Sequence, residues 1–195
     1  MGMGTTKNNQ GDLAGALADY NEALRLRPDH ADTFGNRGNT KNNQGDYAGA
    51  LADYNEALRL RPDDASTLHN RGTTKDELGD YAGALADYDE ALRLRPEHAN
   101  TFYNRGLTKY KQGDYAGALA DFDQSLALAP NEVNTIYCKA CAYGLLLDIQ
   151  TALEWLAYAI DGDEQYRAMA RTDTDFDGIR DDPRFVALVG EGEQP

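Results

Sequence analysis

The sequence is poor in cysteine, in positive charge and in long apolar runs. Its 195 residues include only 2 cysteines, which excludes a disulfide framework and fits a reducing compartment. Lysine and arginine number 19 against 33 acidic residues, and the net charge of −14 would repel the phosphates of nucleic acids and anionic lipids. No apolar run approaches the roughly 20 residues that a membrane-spanning helix needs. These shortages favour a cytoplasmic protein that binds neither nucleic acid nor membrane.

What the sequence has in abundance is one segment, which occurs four times. GDLAGALADYNEALRLRP at 11–28 returns almost unchanged at 45–62 and 79–96, and in a looser form at 113–130. The copies start 34 residues apart, and a fixed period of this length is typical of arrays of small structural repeats. Each unit of such an array buries its apolar side against its neighbours instead of building one central core.

Each copy predicts two antiparallel helices joined by short turns. Apolar residues in 46–61 recur at the spacing of one face of an α-helix, and Pro62 ends that helix. A further helix is predicted over about 65–78. Gly79 can then turn the chain with a positive φ, and Asp80 can cap the helix that follows.

Several spaced positions recur together in the copies. They are a mid-helix glycine, a Gly-Asp-Tyr turn, small residues and a tyrosine on the second helix, and a closing proline: Gly38, 45–47, Ala50, Tyr54, Ala57 and Pro62. This pattern resembles the tetratricopeptide repeat. The resemblance implies an all-α fold, an α-solenoid of antiparallel helix pairs, with a concave groove lined mainly by the first helix of each pair. It also implies a non-enzymatic module that binds another protein.

The repeats and the segment that follows them divide the chain. The array is expected to comprise an incomplete first unit, three full units and a degenerate fifth, at 1–162 overall and at 1–30, 31–64, 65–98, 99–132 and 133–162. The fifth unit is so apolar that its far side would form a large exposed patch unless the next segment covers it. A helical cap is therefore expected at 163–190, before a disordered tail at 191–195. The residues expected on the inner side of the cap are Met169, Phe176, Phe185, Val186, Leu188 and Val189.

Three patterns that could carry chemistry lack the rest of their sites. DTDFDG at 173–178 begins like a calcium loop, but Arg184 stands where a bidentate glutamate is needed, so we interpret the segment as a capped turn. Cys138 and Cys141 fall inside a predicted helix, without a second cysteine pair or a nearby histidine, and are interpreted as packing residues. Since the 3 histidines are scattered, we expect no catalysis, no cofactor and no metal.

The first helices carry cations where the family usually has apolar residues. An arginine precedes each mid-helix glycine, a lysine follows that glycine three residues later, and an aspartate lies on the second helix. The three sets are Arg37, Lys41 and Asp53; Arg71, Lys75 and Asp87; and Arg105, Lys109 and Asp121. We favour ion pairs between the two helices of a pair. The alternative is a cationic stripe offered to an acidic ligand.

Polar residues lie on the side of the first helices that is expected to line the groove. An asparagine side chain has one acceptor and two donors, so a row of asparagines can bond both backbone groups of an extended peptide. The candidate peptide-binding residues are Asn36, Asn39, Asn43, His69, Asn70, Tyr103, Asn104 and Tyr110. The alternative is a hydrated polar surface with no ligand.

Two functions are therefore open. The favoured one is an adaptor that holds an extended peptide segment of a partner protein in the concave groove. The other is a scaffold that self-associates by head-to-tail stacking of arrays, a contact that need not close on itself.

Overall fold

A computed structural model describes residues 12–190, and every regular element within that range is a helix. The chain divides into two compact units, which meet between Pro96 and Glu97 in the sequence. The described part of unit 1 is 12–96, and that of unit 2 is 97–190. The expected first helix of the incomplete unit at 1–30 and the expected tail at 191–195 lie outside the described residues.

Unit 1 consists of consecutive helices that pack in pairs. The helices are α1 (Leu13–Leu26), α2 (Ala31–Asn43), α3 (Tyr47–Leu60), α4 (Ala65–Glu77) and α5 (Tyr81–Leu94). α2 packs on α3, and α4 packs on α5, while α1 contacts α2 and α3 contacts α4. The predicted helix pairs are thus confirmed.

Unit 2 continues with two helix pairs and adds a cap. Its helices are α6 (Ala99–Lys111), α7 (Tyr115–Leu128), α8 (Val133–Leu145), α9 (Ile149–Gly162), α10 (Gln165–Thr172), a 3-10 helix (Thr174–Ile179) and α11 (Pro183–Val189). α6 packs on α7 and α8 on α9, and the 3-10 helix packs on α8. The expected fold class, an all-α solenoid of helix pairs with a C-terminal helical cap, is confirmed. The 3-10 helix was not predicted, since its six residues are too few to show a periodic pattern.

The mid-helix glycines allow a close approach between the two helices of a pair. A Cβ at Gly38 would lie 2.7 Å from the ring of Tyr54, and a Cβ at Gly72 would lie 2.8 Å from the ring of Tyr88. These tyrosines are almost completely buried. A glycine inside a helix costs about 1 kcal/mol relative to alanine, and here that cost makes room for a large buried ring.

The core of the cap is aromatic. The ring of Phe176 lies 5.5 Å from that of Phe185 and 6.0 Å from that of Tyr137 on α8, and Tyr166 lies 4.7 Å from Tyr137. These side chains, with Val189 and Ile179, form one buried cluster with the inner side of α9. The last helix pair is therefore covered, as its apolar sequence predicted.

Two residues expected on the inner side of the cap lie outside it instead. Met169 is 49% exposed and Val186 is 39% exposed. On α10 the buried face is set by Tyr166 and Ala170, four residues apart, and Met169 lies about 100° around the helix from Ala170. On α11, Val186 is displaced in the same way from the buried Phe185.

The turn between α8 and α9 departs from the other turns. Gly45, Gly79 and Gly113 adopt φ near +80° after the first helix of their pairs, but the equivalent position in the last pair is Leu147, with φ 59°. A side chain in this left-handed conformation costs about 1–2 kcal/mol, whereas glycine adopts it freely. The turn of the last pair is therefore strained.

We expect Leu147→Gly to raise the free energy of unfolding by about 1 kcal/mol, because it removes the left-handed strain. The side chain is 61% exposed, so little packing is lost, although it touches Gly178 in the 3-10 helix. Chemical denaturation followed by circular dichroism measures the change. The control is Leu146→Gly, which places glycine at an ordinary right-handed residue and should lower stability. A lower stability of Leu147→Gly would show that the Gly178 contact outweighs the strain.

Candidate functional site

The predicted cations and aspartates form buried clusters within each helix pair. In the first complete pair, Arg37 donates from Nη2 to Asp53 Oδ1 over 2.6 Å and from Nε to Oδ2 over 2.8 Å. Lys41 Nζ lies 2.8 Å from the same carboxylate. The same geometry recurs with Asp87 in unit 1 and Asp121 in unit 2. Pairing between the two helices is confirmed, and these cations do not form a stripe open to an acidic ligand.

The carboxylates of these clusters are shielded from water. The side chains of Asp53, Asp87 and Asp121 are 5%, 6% and 3% exposed. A buried carboxylate between two cations is costly to break, because removing one partner leaves uncompensated charge in the interior. The clusters are therefore structural elements of the helix pairs.

In unit 1 the arginine of each charge cluster also donates a hydrogen bond to the preceding helix. Arg37 Nη1 donates to Asn21 Oδ1 over 2.8 Å, and Arg71 Nη1 donates to Asn55 Oδ1 over 2.8 Å. One guanidinium thus connects both helices of its own pair and the last helix of the pair before it.

The last pair replaces the charged cluster with an aromatic one. At the positions of the arginine, the lysine and the aspartate stand Lys139, Tyr143 and Trp155. Lys139 Nζ lies 3.5 Å from the centroid of the Trp155 ring and 2.5 Å from Asp123 Oδ1. The face of Trp155 thus takes the place of the aspartate on the second helix of the pair, and the carboxylate partner of Lys139 comes from α7 of the preceding pair. The exchange is visible in the sequence once the fifth unit is aligned on the 34-residue register, and it was not predicted.

Two of the predicted peptide-binding residues in unit 1 contact each other. Asn70 Nδ2 on α4 donates to Asn39 Oδ1 on α2 over 2.9 Å, and Tyr54 donates its hydroxyl to the same oxygen over 2.8 Å. Beside them, Thr74 Oγ1 donates to Asn42 Oδ1 over 2.7 Å. The two first helices of unit 1 are therefore linked by a strip of amide and hydroxyl groups.

The other candidates in unit 1 lie along the same two helices. Asn36 is half-buried one turn before Asn39, and Asn43 is exposed at the end of α2. His69 is half-buried, and its ring lies 5.8 Å from that of Tyr88.

The candidates in unit 2 lie on α6. Tyr110 donates its hydroxyl to Asp175 in the 3-10 helix, and the ring of Tyr103 lies 6.1 Å from that of Phe122 on α7. Burial raises the pKa of both tyrosines. Asn104 is half-buried on the same helix. Tyr110 therefore offers mainly ring surface to a ligand, because its hydroxyl already has a partner.

The segment that resembles the start of a calcium loop is a capped turn, as predicted. Asp173 Oδ1 accepts from the backbone of Asp175 over 3.1 Å at the start of the 3-10 helix, and Asp173 Oδ2 accepts from the Tyr137 hydroxyl over 2.7 Å. Cys141 Sγ lies 3.7 Å from the same carboxylate. The carboxylates of this segment hold the cap against the last helix pair.

The two cysteines are unpaired thiols on α8 in unit 2. Burial raises the pKa of Cys138 to about 11 and raises the pKa of Cys141 as well. The thiolate is the form that attacks electrophiles and binds metals, so both residues favour packing over chemistry. Cys141 is buried and Cys138 is half-buried, which supports the interpretation of both as packing residues.

None of the helices between residues 12 and 190 has both the length and the apolar character that crossing a bilayer requires.

Family models of the tetratricopeptide repeat match most of the chain. One, described as TPR repeat, matches 7–45, 38–74 and 77–113, and another, described as tetratricopeptide repeat, matches 99–132. No curated protein matches the sequence.

Solved structures share the fold. A crystal structure of MamA has a TM-score of 0.78 at 20% identity and covers 85% of this chain and 96% of its own. YrrB, described as a TPR protein with an unusual peptide-binding site, has a TM-score of 0.74 at 23% identity and covers 87% of this chain and 89% of its own. A tetratricopeptide repeat protein from Parabacteroides merdae has a TM-score of 0.73 at 26% identity and covers 95% of this chain and 70% of its own.

Proposed function

Because the chain belongs to the tetratricopeptide repeat family, we propose that it is a non-enzymatic adaptor that holds an extended peptide segment of a partner protein against its first helices. Proteins of this fold generally act as protein-interaction modules. The proposed peptide-binding residues are Asn36, Asn39, Asn43, His69 and Asn70 in unit 1, and Tyr103, Asn104 and Tyr110 in unit 2.

The observation that carries the proposal is the amide contact between α2 and α4. In that contact Asn39 uses its amide oxygen and Asn70 uses its amide nitrogen. The amide nitrogen of Asn39 and the amide oxygen of Asn70 then supply one donor and one acceptor on a half-buried surface. A peptide backbone presents one N–H and one C=O per residue, so an extended strand complements such a pair.

Two further observations support the proposal. YrrB, which shares the fold at 23% identity, is described as a TPR protein with an unusual peptide-binding site. The net charge of −14 favours a protein partner over nucleic acid or an anionic membrane. We further propose a cytoplasmic location, because both cysteines are unpaired thiols.

Self-assembly by head-to-tail stacking is the other candidate, and the cap weighs against it. Stacking requires that the last helix pair present its far side to the next array, but Leu156 and Ile160 on that side are buried with the cap. Light scattering across a range of concentrations tests this candidate. An adaptor keeps one mass, whereas a head-to-tail scaffold gains mass as the concentration rises.

The peptide-binding surface is tested by the triple variant Asn36→Ala, Asn70→Ala, Asn104→Ala. Peptides selected by the wild-type chain from a displayed random library serve as ligands in fluorescence titrations. Each lost hydrogen bond should cost about 0.5–1.5 kcal/mol, so we expect several-fold to hundreds-fold weaker binding in total. Helicity should stay unchanged, because alanine is the better helix former.

The control for this test is Asn100→Ala, which removes an exposed asparagine from α6 outside the proposed surface. It should bind the same peptides as tightly as the wild type. Unchanged affinity in a folded triple variant would place the site elsewhere, and loss of helicity would show that these amides are structural.

A further inference from the structure

A second concave surface lies on unit 2, between the start of α8 and the second half of α9. It is an open depression with a volume of about 830 Å³. Its apolar walls are formed by Val133 and Ile136 from α8 and by Trp155 and Tyr158 from α9. We call this surface the outer groove. It shares no residue with the proposed peptide-binding surface on the first helices.

The aromatic wall of the outer groove is held in place by contacts between its two rings and with the buried Lys139. The Trp155 and Tyr158 rings lie 5.8 Å apart at 60°, in an edge-to-face arrangement. Lys139 lies 3.5 Å from the centroid of the Trp155 ring and is itself 3% exposed. Tyr158 is 62% exposed, which is unusual for so large a ring beside a half-buried tryptophan. The groove is thus ordered and still open to solvent.

The rim of the outer groove is acidic. Glu154 and Asp161 line it, both are exposed, and no lysine or arginine is among its lining residues. The two carboxylates are seven residues apart on α9, which places them on one face at a separation of about 10 Å. Lys139 does not neutralise them, because its ammonium group pairs with Asp123 beneath the tryptophan.

We propose that the outer groove docks a basic segment of another protein, anchored by an apolar side chain. The apolar side chain packs among Ile136, Trp155 and Tyr158, and two lysine or arginine side chains pair with Glu154 and Asp161. In an extended chain, Cα atoms three residues apart lie about 10 Å from each other, which matches the spacing of the two carboxylates. Their side chains leave the backbone on opposite faces, and the long, flexible stems of lysine or arginine let both cations turn to the same rim. The fitting sequence therefore has two cations separated by two residues, with apolar side chains between them.

Trp155 is the single tryptophan of the chain, so its emission reports on this groove alone. The probe is a peptide of the order Gly-Ser-Lys-Leu-Leu-Lys-Ser-Gly, titrated into the full chain. One matched peptide carries glutamate in place of both lysines, and another carries serine in place of both leucines. We expect saturable emission changes with the first peptide and at least about tenfold weaker binding of the other two.

Variants of the rim distinguish the effect of its two carboxylates on peptide binding from the effect of the net charge of the chain. Glu154→Gln with Asp161→Asn should weaken binding of the lysine–leucine peptide by about five- to twentyfold, and Tyr158→Ala should weaken it about tenfold. The matched control is Glu97→Gln with Asp181→Asn, which removes two other exposed carboxylates of unit 2 and should change affinity less than about twofold. Circular dichroism confirms that each variant is folded.

Three results would overturn the proposal. They are the same loss of affinity in both double variants, equal binding of the three peptides, and an emission that does not respond to any peptide. A fourth result would also overturn it, and sedimentation of the chain alone tests for that result. Dimers that are lost in Tyr158→Ala would show that the outer groove binds a second copy of this chain and not a basic segment of another protein.

Discussion

A chain truncated after Gly162 is expected to aggregate or to lose cooperative melting of unit 2. The truncation removes Phe176, Phe185 and Val189, which are buried against the last helix pair, and leaves Leu156 and Ile160 exposed. Each buried phenylalanine contributes about 3–5 kcal/mol by the cost of its replacement with alanine. The loss of two is comparable to the 5–15 kcal/mol that stabilises a typical domain. Light scattering and thermal melting would show both effects.

Single substitutions in the full chain refine this expectation. Phe176→Ala, at a residue that is 0% exposed, should lower the free energy of unfolding by about 3–5 kcal/mol. Met169→Ala removes an equally apolar but half-exposed side chain from the same cap and should cost under about 1 kcal/mol. Equal melting of the truncated and full chains would show that the cap is dispensable.

Asp87→Ala is expected to lower the free energy of unfolding by about 3–5 kcal/mol, because it leaves Arg71 and Lys75 facing each other without their buried counter-charge. Urea denaturation followed by circular dichroism measures the loss. The control is Glu90→Ala on the same helix, which breaks an exposed pair with Arg93 and should leave the midpoint unchanged.

A rescue variant separates charge burial from lost packing. Replacing Arg71, Lys75 and Asp87 together by leucine removes the whole cluster, and replacing a buried ionic cluster with apolar residues is often neutral or stabilising. We expect this triple variant to recover most of the stability lost in Asp87→Ala. A triple variant as unstable as the single one would show that the cluster acts through its geometry and not through its charge.

The sequence predicted the helix pairs because local signals agree at each repeat. The helical spacing of 46–61, the glycine at 79 and the capping aspartate at 80 each act within a few residues, and each recurs along the chain. In the structure Gly79 has a φ of +79°, and Asp80 accepts from the backbone of Gly83. The ion pairs were predictable for the same reason, since the arginine and the aspartate keep one separation in three successive copies, as in Arg71 and Asp87.

The sequence predicted that a helical cap covers the last helix pair, but it did not predict how the side chains of that cap pack. The apolar excess of the last pair showed that something must cover it, but Met169 and Val186 were assigned to the wrong side. The contact of Tyr110 with Asp175 joins residues 65 positions apart, and one occurrence gives no period to detect. The left-handed Leu147 was likewise hidden, because leucine normally argues against that conformation.

The candidate site was predicted as a set of residues, and the structure adds their partners. The asparagine row was visible from its period, but the bond between Asn39 and Asn70 depends on how α2 lies against α4. The outer groove was not predictable, because Trp155 stands where the other copies have an aspartate and the repeat period gives no sign of how its ring lies against Tyr158.

The closed charge clusters have a consequence for how the length of unit 1 can change. Asp53 and Asp87 find both of their cations inside their own helix pair, so no buried charge depends on another repeat. The bond by which each cluster arginine crosses to the preceding repeat ends on a neutral asparagine, Asn21 or Asn55. Excision of 31–64 would offer Asn21 to Arg71 in place of Asn55. Genetic gain or loss of whole repeats in unit 1 therefore preserves the charge clusters of Asp53 and Asp87, whereas a break inside a repeat separates one of these aspartates from its cations.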